Sequence, residues 1–319
     1  MVDNINKAAK IVVTDCMGVK PGEKVVVVAD TSLHHLGQVL FEAAVNAEAE
    51  AQLLIMIPRE SNGQEPPTPV AAALLEADVG LLVTSKSLSH TKARKEANNK
   101  GARIASLPGL TSQVMARTLN SGYEAIAAKC MFYAEKLSQG QKVNITTDLG
   151  TNLTFSIAGR PGIADTGLLR EPGMFGNLPA GEAYIAPVEG TAHGTLVIDG
   201  SMAAIGLIGE PITIKVENGL AVQISGGKEA QKLNQLMEKH GAKARNIAEL
   251  GIGLNPEAML TGVVIEDEKV EGTIHIALGD NSTFGGTVEV DSHLDGVIKN
   301  PTVTVDGEII IARGKPVLP

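Results

Sequence analysis

The chain has 319 residues and is acidic, with 27 Lys and Arg against 36 Asp and Glu and a net charge of −9. Without a basic run, that balance excludes a nucleic-acid surface and an anionic membrane partner. Five Phe, three Tyr and no Trp leave no platform for stacking bases.

The first 140 residues alternate between helical and extended patterns. Residues 3–17 predict a helix, broken at Pro21-Gly22, and KVVVVAD (24–30) is a continuous apolar strand. A helix over 34–48 leads to the strand AQLLIMI (51–57). Pro66, Pro67 and Pro69 introduce a helix ending near Glu76, and VGLLVTS (79–85) is the third strand. A charged helix over 91–99 precedes the strand ARIASLP (102–108), and helices over 111–119 and 122–138 follow. Continuous apolar strands separated by helices imply an α/β fold, a Rossmann-like parallel sheet covered on both faces. The turn after the first strand reads TSLHH rather than G-x-G-x-x-G, so no dinucleotide is implied.

Near residue 140 the pattern changes to alternation. VNITTD-LGTN-LTFSIA is a hairpin, and strands follow at 183–189, 194–203, 212–217, 220–225, 272–279 and 301–311. Turns fall at Glu217-Asn218-Gly219 and Asp306-Gly307, and one helix spans 229–240. The expected domains are 1–140, the α/β unit, and 141–319, a β-rich α+β metal-binding unit. Cys16 and Cys130 read as buried thiols of a reducing compartment. No apolar run approaches the ~20 residues that span a bilayer, and MVDNINKAAKIVV lacks the parts of a signal peptide. The expectation is a cytoplasmic protein.

Residues capable of chemistry concentrate in the second part. GTIHIALGDN carries His275, and DSHLDG carries His293 and Asp295, which share a face if that segment is extended. NLPAGEAYIAP carries Glu182, and ARNIAELGIGLNP carries Glu249, with only Arg245 nearby to neutralise it. A carboxylate among Ala, Ile, Leu and Gly is costly to bury unless it is paired or binds metal. Taken singly, each has an ordinary account: a helix-end glutamate, a satisfied core histidine, a polar turn. Taken together, three carboxylates and two imidazoles exceed the needs of one four-coordinate ion. They suit two ions that share a bridging carboxylate and activate a water, which is amide hydrolysis chemistry. His275, His293 and Asp295 alone would form a two-His-one-carboxylate face, typical of non-haem Fe(II) oxygenases.

The order Glu182, Glu249, His275, His293-x-Asp295, in NLPxGE and AELGIG contexts, resembles the aminopeptidase T family of metallopeptidases. The resemblance implies two divalent ions, zinc or cobalt, bound by those five residues, with Glu182 also catalytic. It further implies a homodimer or larger assembly that removes N-terminal residues from peptides. The chain is similar also to the related 2,5-dihydroxypyridine dioxygenases, which hold one Fe(II) with the His and His-x-Asp set. One position departs from the peptidase pattern: HxAxGxxY would place tyrosine where Ser282 stands, with Phe284 just beyond. The leading expectation is therefore an aminopeptidase-like hydrolase. A ring-cleaving Fe(II) dioxygenase is the alternative, and a non-catalytic metal-binding or oligomeric protein is the third reading. His90, at the carboxyl edge after the third strand, and His193, one strand length after Glu182, are the candidate acid/base groups. His90 and Thr91 are expected to face substrate from the N-terminal domain, and Tyr184 to stand in for the missing phenol.

Overall fold

The computed structural model describes residues 2–318. The chain divides into two compact units, residues 1–125 with 167–180, and residues 126–166 with 181–319.

In the first unit five parallel strands lie in the order Glu50–Met56, Lys24–Asp30, Val79–Val83, Arg103–Ser106, Phe175–Asn177. The valine run of the second of these explains why helices cover both faces. Val25 and Val27 pack with Leu36 and Leu40 on one side, and Val26 and Val28 with Leu74 and Ala97 on the other. Full burial of each such side chain contributes about 1.5–3 kcal/mol. At the strand's carboxyl end the buried Asp30 accepts hydrogen bonds from Ser85 N (2.5 Å), Ser85 Oγ (2.6 Å) and Ser32 N (3.0 Å). These bonds tie the loops after two neighbouring strands together. The N-terminal helix Val2–Ile11 continues as a π-helical turn over Val12–Cys16, where a single α-helix was expected.

A single boundary at residue 140 does not describe this division. The helix Tyr123–Gln139 contributes Tyr123 to the first core, whereas Ile126, Cys130, Tyr133 and Leu137 belong to the second. Residues 167–180 return to the first unit, and Phe175–Asn177 pairs with Arg103–Ser106 as a fifth parallel strand. Three residues reading FGN carry no apolar run that would announce a strand. Cys16 and Cys130 are free and buried. Among the described residues no helix is long and apolar enough to cross a membrane.

The second unit consists mainly of two antiparallel sheets. One has eight strands and includes Lys142–Thr146, Asn152–Ser156, His193–Ile198 and Ile212–Glu217. The other has seven, with Ile163–Asp165, Glu182–Ile185, Ile247–Gly253, Ile274–Gly279 and His293–Ile298 as successive neighbours. Val143, Leu153, Leu196 and Ile214 of the first share a core with Ile185, Leu250, Ile252, Ile276 and Ile298 of the second. With side chains alternating between faces, the intervening residues of the second sheet, Glu249, Gly251, His275 and Ala277, are turned away from that core.

Candidate metal centre

Strand register brings the chemistry together. Across the seven-stranded sheet, Gly253 pairs with Glu182, Gly251 with both Tyr184 and His275, Ala277 with both Glu249 and Asp295, and Gly279 with His293. Each functional side chain therefore stands opposite glycine or alanine, which leaves room above the sheet. Gly251 shows how tight that room is: a Cβ there would lie 2.0 Å from both Cε1 and Nε2 of His275. A bulge between Ile247 and Glu249 sets the register that aligns Glu249 with Ala277.

The five residues singled out in the sequence converge. His275 Nε2 lies 3.3 Å from Glu249 Oε1 and 3.4 Å from Glu182 Oε2. His293 Nε2 lies 3.4 Å from Glu249 Oε2 and 3.2 Å from Asp295 Oδ1. Glu249 thus offers one oxygen to each imidazole. The other nitrogen of His293, Nδ1, is 2.7 Å from the Asp280 carbonyl oxygen. As a donor to that carbonyl it fixes the ring and leaves Nε2 free to bind a cation.

Burial and charge pull against each other here. Burial raises the Glu182 carboxyl, only partly opposed by Lys269, to about 8. Burial would lower His275, but the Glu249 hydrogen bond and the charges of Glu182 and Asp295 outweigh it and bring it to about 9. His293 is likewise held down by burial, yet Asp295 and Glu249 carry it well above the usual histidine value. Asp295, despite burial, is held below the usual carboxylate range by His293.

Three charged residues at this site escaped the sequence reading. Lys269 Nζ bonds Glu182 Oε1, lies 3.2 Å from Glu268 Oε2 and faces Asp165 Oδ2 at 3.8 Å. Asp165 arrives through its pairing with Glu182 on the edge strand. The segment Glu266–Lys269 reads as a solvated charge run, yet Glu266, Asp267 and Lys269 are buried. Partners explain the burial: Met259 N donates to Glu266, and Thr261 N and Gly262 N donate to Asp267. For Glu268 and Lys269 the only available signal was closeness to GTIHIALG; for Asp165 there was none.

The other expected residues have these surroundings. His193 is exposed on the eight-stranded sheet, where its Nδ1 accepts from Asn218 N at 3.4 Å; it is not part of the cluster. His90 is exposed in the first unit, immediately before the helix Lys92–Asn99. The Thr91 hydroxyl donates to Leu88 O (2.7 Å) and accepts from Arg94 N (3.3 Å), capping that helix. The Ser282 hydroxyl is likewise taken up by Asp280 of its own turn. Phe284 instead approaches the centre, its ring edge-to-face with Tyr184 at 5.6 Å and with His293 at 5.8 Å. The Tyr184 hydroxyl makes no hydrogen bond among the described residues; burial first, then Glu249 and Glu182, raises its phenol above the usual range.

The donor set fits a divalent cation. Two ligands held at right angles about 2.1 Å from one ion lie about 3.0 Å apart, close to the 3.2–3.4 Å separations between these nitrogens and oxygens. Glu182 Oε2 and His275 Nδ1 are buried without a hydrogen-bond partner. Of the two, Glu182 Oε2 faces His275 Nε2 at 3.4 Å, and a buried carboxylate oxygen of this kind is costly unless a proton or cation satisfies it.

Both relatives named from the sequence recur among known proteins, and the family match selects one of them. A family model for 2,5-dihydroxypyridine 5,6-dioxygenase (NicX) matches residues 5–318. A 2,5-dihydroxypyridine 5,6-dioxygenase of Pseudomonas putida KT2440 is 26% identical over 263 residues, 77% of this chain and 73% of that protein. A solved structure of 2,5-dihydroxypyridine dioxygenase from Pseudomonas putida KT2440 is similar with a TM-score of 0.84 at 21% identity, covering 99% of this chain and 97% of that one. Wild-type AmpT from Thermus thermophilus is similar with a TM-score of 0.73 at 17% identity, covering 99% of each chain. Those two likenesses concern the fold. The family match overturns the expectation of an aminopeptidase-like hydrolase, and with it the non-catalytic reading. The physical reason for the error is that glutamates, histidines and an H-x-D pair can serve either chemistry.

Proposed function

The chain belongs to the 2,5-dihydroxypyridine 5,6-dioxygenase family, and from that membership we propose that it opens a dihydroxylated heteroaromatic ring with dioxygen at one iron site held by His275, His293 and Asp295. The observation that carries this reading is the meeting of two imidazole Nε2 atoms and carboxylate oxygens on one face of adjacent strands. Such a two-His-one-carboxylate set leaves coordination positions open. Bound there, ferrous iron supplies the one-electron chemistry that lets dioxygen react with a closed-shell ring.

The chain's own groups do the rest. Asp280 O orients His293 through Nδ1. Glu249, facing both imidazoles, accepts the proton released by a ring hydroxyl on binding. Phe284 and Tyr184 form an aromatic wall beside His293 that suits a flat ring better than a peptide. The Tyr184 hydroxyl donates to a substrate oxygen.

The test is dioxygen consumption by iron-loaded protein supplied with 2,5-dihydroxypyridine. One dioxygen per ring opened is expected, with the reaction lost in His293→Ala. No uptake by protein that contains iron, or undiminished uptake in His293→Ala, would refute the reading.

A further inference from the structure

We propose that the Lys269 ammonium occupies the second of two cation positions, so that the chain binds one divalent ion although its donors would accommodate two; this rests on the metal-site reading above. The donors, buried except for the half-buried Glu268 and His293, form two groups with no residue in common: Glu182, Glu268 and His275, and Glu249, His293 and Asp295. Within each group the candidate ligand atoms all lie within 4.8 Å of one another. Either group, considered alone, is adequate for a divalent ion.

The groups differ in what already stands among them. Lys269 Nζ bonds Glu182 Oε1, sits 3.2 Å from Glu268 Oε2 and faces Asp165 Oδ2 at 3.8 Å, with only 3% of its side chain exposed. An ammonium supplies positive charge and three donors but no lone pair. It compensates the carboxylates and takes up Glu182 Oε1 and Glu268 Oε2, two of the oxygens a second ion would draw on, without ligating anything. Among the described residues, neither Lys nor Arg is within salt-bridge distance of Glu249, His293 or Asp295; with Glu182 and Glu268 engaged by Lys269, His275 Nε2, 3.3 Å from Glu249 Oε1, joins that group around one external cation.

The backbone is built to deliver this lysine. Gly253 stands opposite Glu182, and a Cβ on it would lie 2.2 Å from Val270 O. Only glycine lets the 269–270 segment lie so close to the strand. Asn255 N then donates to Lys269 O at 2.8 Å and Val270 bridges Asn255, fixing the lysine's base beside the carboxylates it serves. A lysine placed by chance on a loop would not be locked by the backbone of the strand below. With one position filled from within, no bridging carboxylate or bridging water forms between two ions. The remaining ion keeps the open positions that ring and dioxygen require.

The experiment is a Mn2+ titration of metal-free native protein, read by calorimetry and by elemental analysis at saturation. One ion per native chain is expected and two per Lys269→Ala chain, returning to one in Lys269→Ala/Glu268→Gln. Two ions on the native chain, or one on a folded Lys269→Ala chain, would overturn the inference. Should Lys269→Ala not fold, Lys269→Met, which keeps the stem and removes the ammonium, takes its place with the same two outcomes. No ion on the native chain would remove the functional reading and this inference together. One ion without dioxygen uptake after iron loading would remove the functional reading and leave the Lys269 assignment standing.

Discussion

Gly251→Ala tests whether His275 is a ligand without touching any candidate ligand. The added Cβ would lie 2.0 Å from the imidazole Cε1 and Nε2, whereas ordinary contact begins near 3.4 Å, so the ring must move by about 1.4 Å. Gly251 does not have a positive φ, so alanine strains no backbone there, and the whole effect falls on the imidazole. Ligand distances tolerate about 0.2 Å, several times less than this displacement. Even changes to residues that merely support a ligand cost 10–100-fold in metal affinity. We therefore expect at least a 100-fold loss of Mn2+ affinity, about 2.7 kcal/mol, measured by calorimetry against native protein. Overpacking should lower stability by only about 1–3 kcal/mol, so circular dichroism and a thermal melt should still report a folded chain. A folded Gly251→Ala protein with native affinity would refute the assignment of His275 Nε2 to the metal.

Tyr184→Phe should keep its ion and lose turnover about fivefold, the worth of one substrate hydrogen bond near 1 kcal/mol; loss of bound metal instead would make Tyr184 a structural support. His293→Ala should lose at least 10–100-fold in metal affinity, and elemental analysis showing full occupancy would contradict that. In the first unit, the buried Arg103 guanidinium clasps Glu23 at 3.1 and 2.6 Å. Although partial burial opposes it, the Arg103 contact holds Glu23 below the usual carboxylate value. A depressed folded value means stabilisation that is complete above the unfolded value, near 4.3, and lost as pH falls through the folded one. Glu23→Gln should therefore cost about 2 kcal/mol at neutral pH, and denaturant titrations should show the gap from native protein shrinking below pH 4; a gap independent of pH would dismiss the pair as a contributor.

The parallel sheet was legible because buried valine runs have few alternatives: the Lys24–Asp30 strand matches its expected range residue for residue. The ligand face was legible for a similar reason, since His293 and Asp295 need only an extended backbone to share a side. The strand Ile247–Gly253 was harder, because AELGIG is poor in β-branched residues and rich in glycine. Those glycines are there to clear space for His275 and for the 269–270 segment, a requirement of the site and not of the strand. Lys269, Glu268 and Asp165 were hidden because the partners that make their burial affordable come from other strands, which no local pattern reveals. His193 misled because distance along the chain said nothing of which sheet would take its strand. The choice between peptidase and oxygenase could not be read from ligand types alone, since the same donors serve both.

The most direct measurement is anomalous diffraction at the iron edge from iron-loaded crystals. The account predicts one peak per chain, within about 2.0–2.3 Å of His275 Nε2, His293 Nε2 and an Asp295 oxygen, with Lys269 still among Glu182, Glu268 and Asp165. Two peaks, or a single peak displacing Lys269 from those carboxylates, would contradict it.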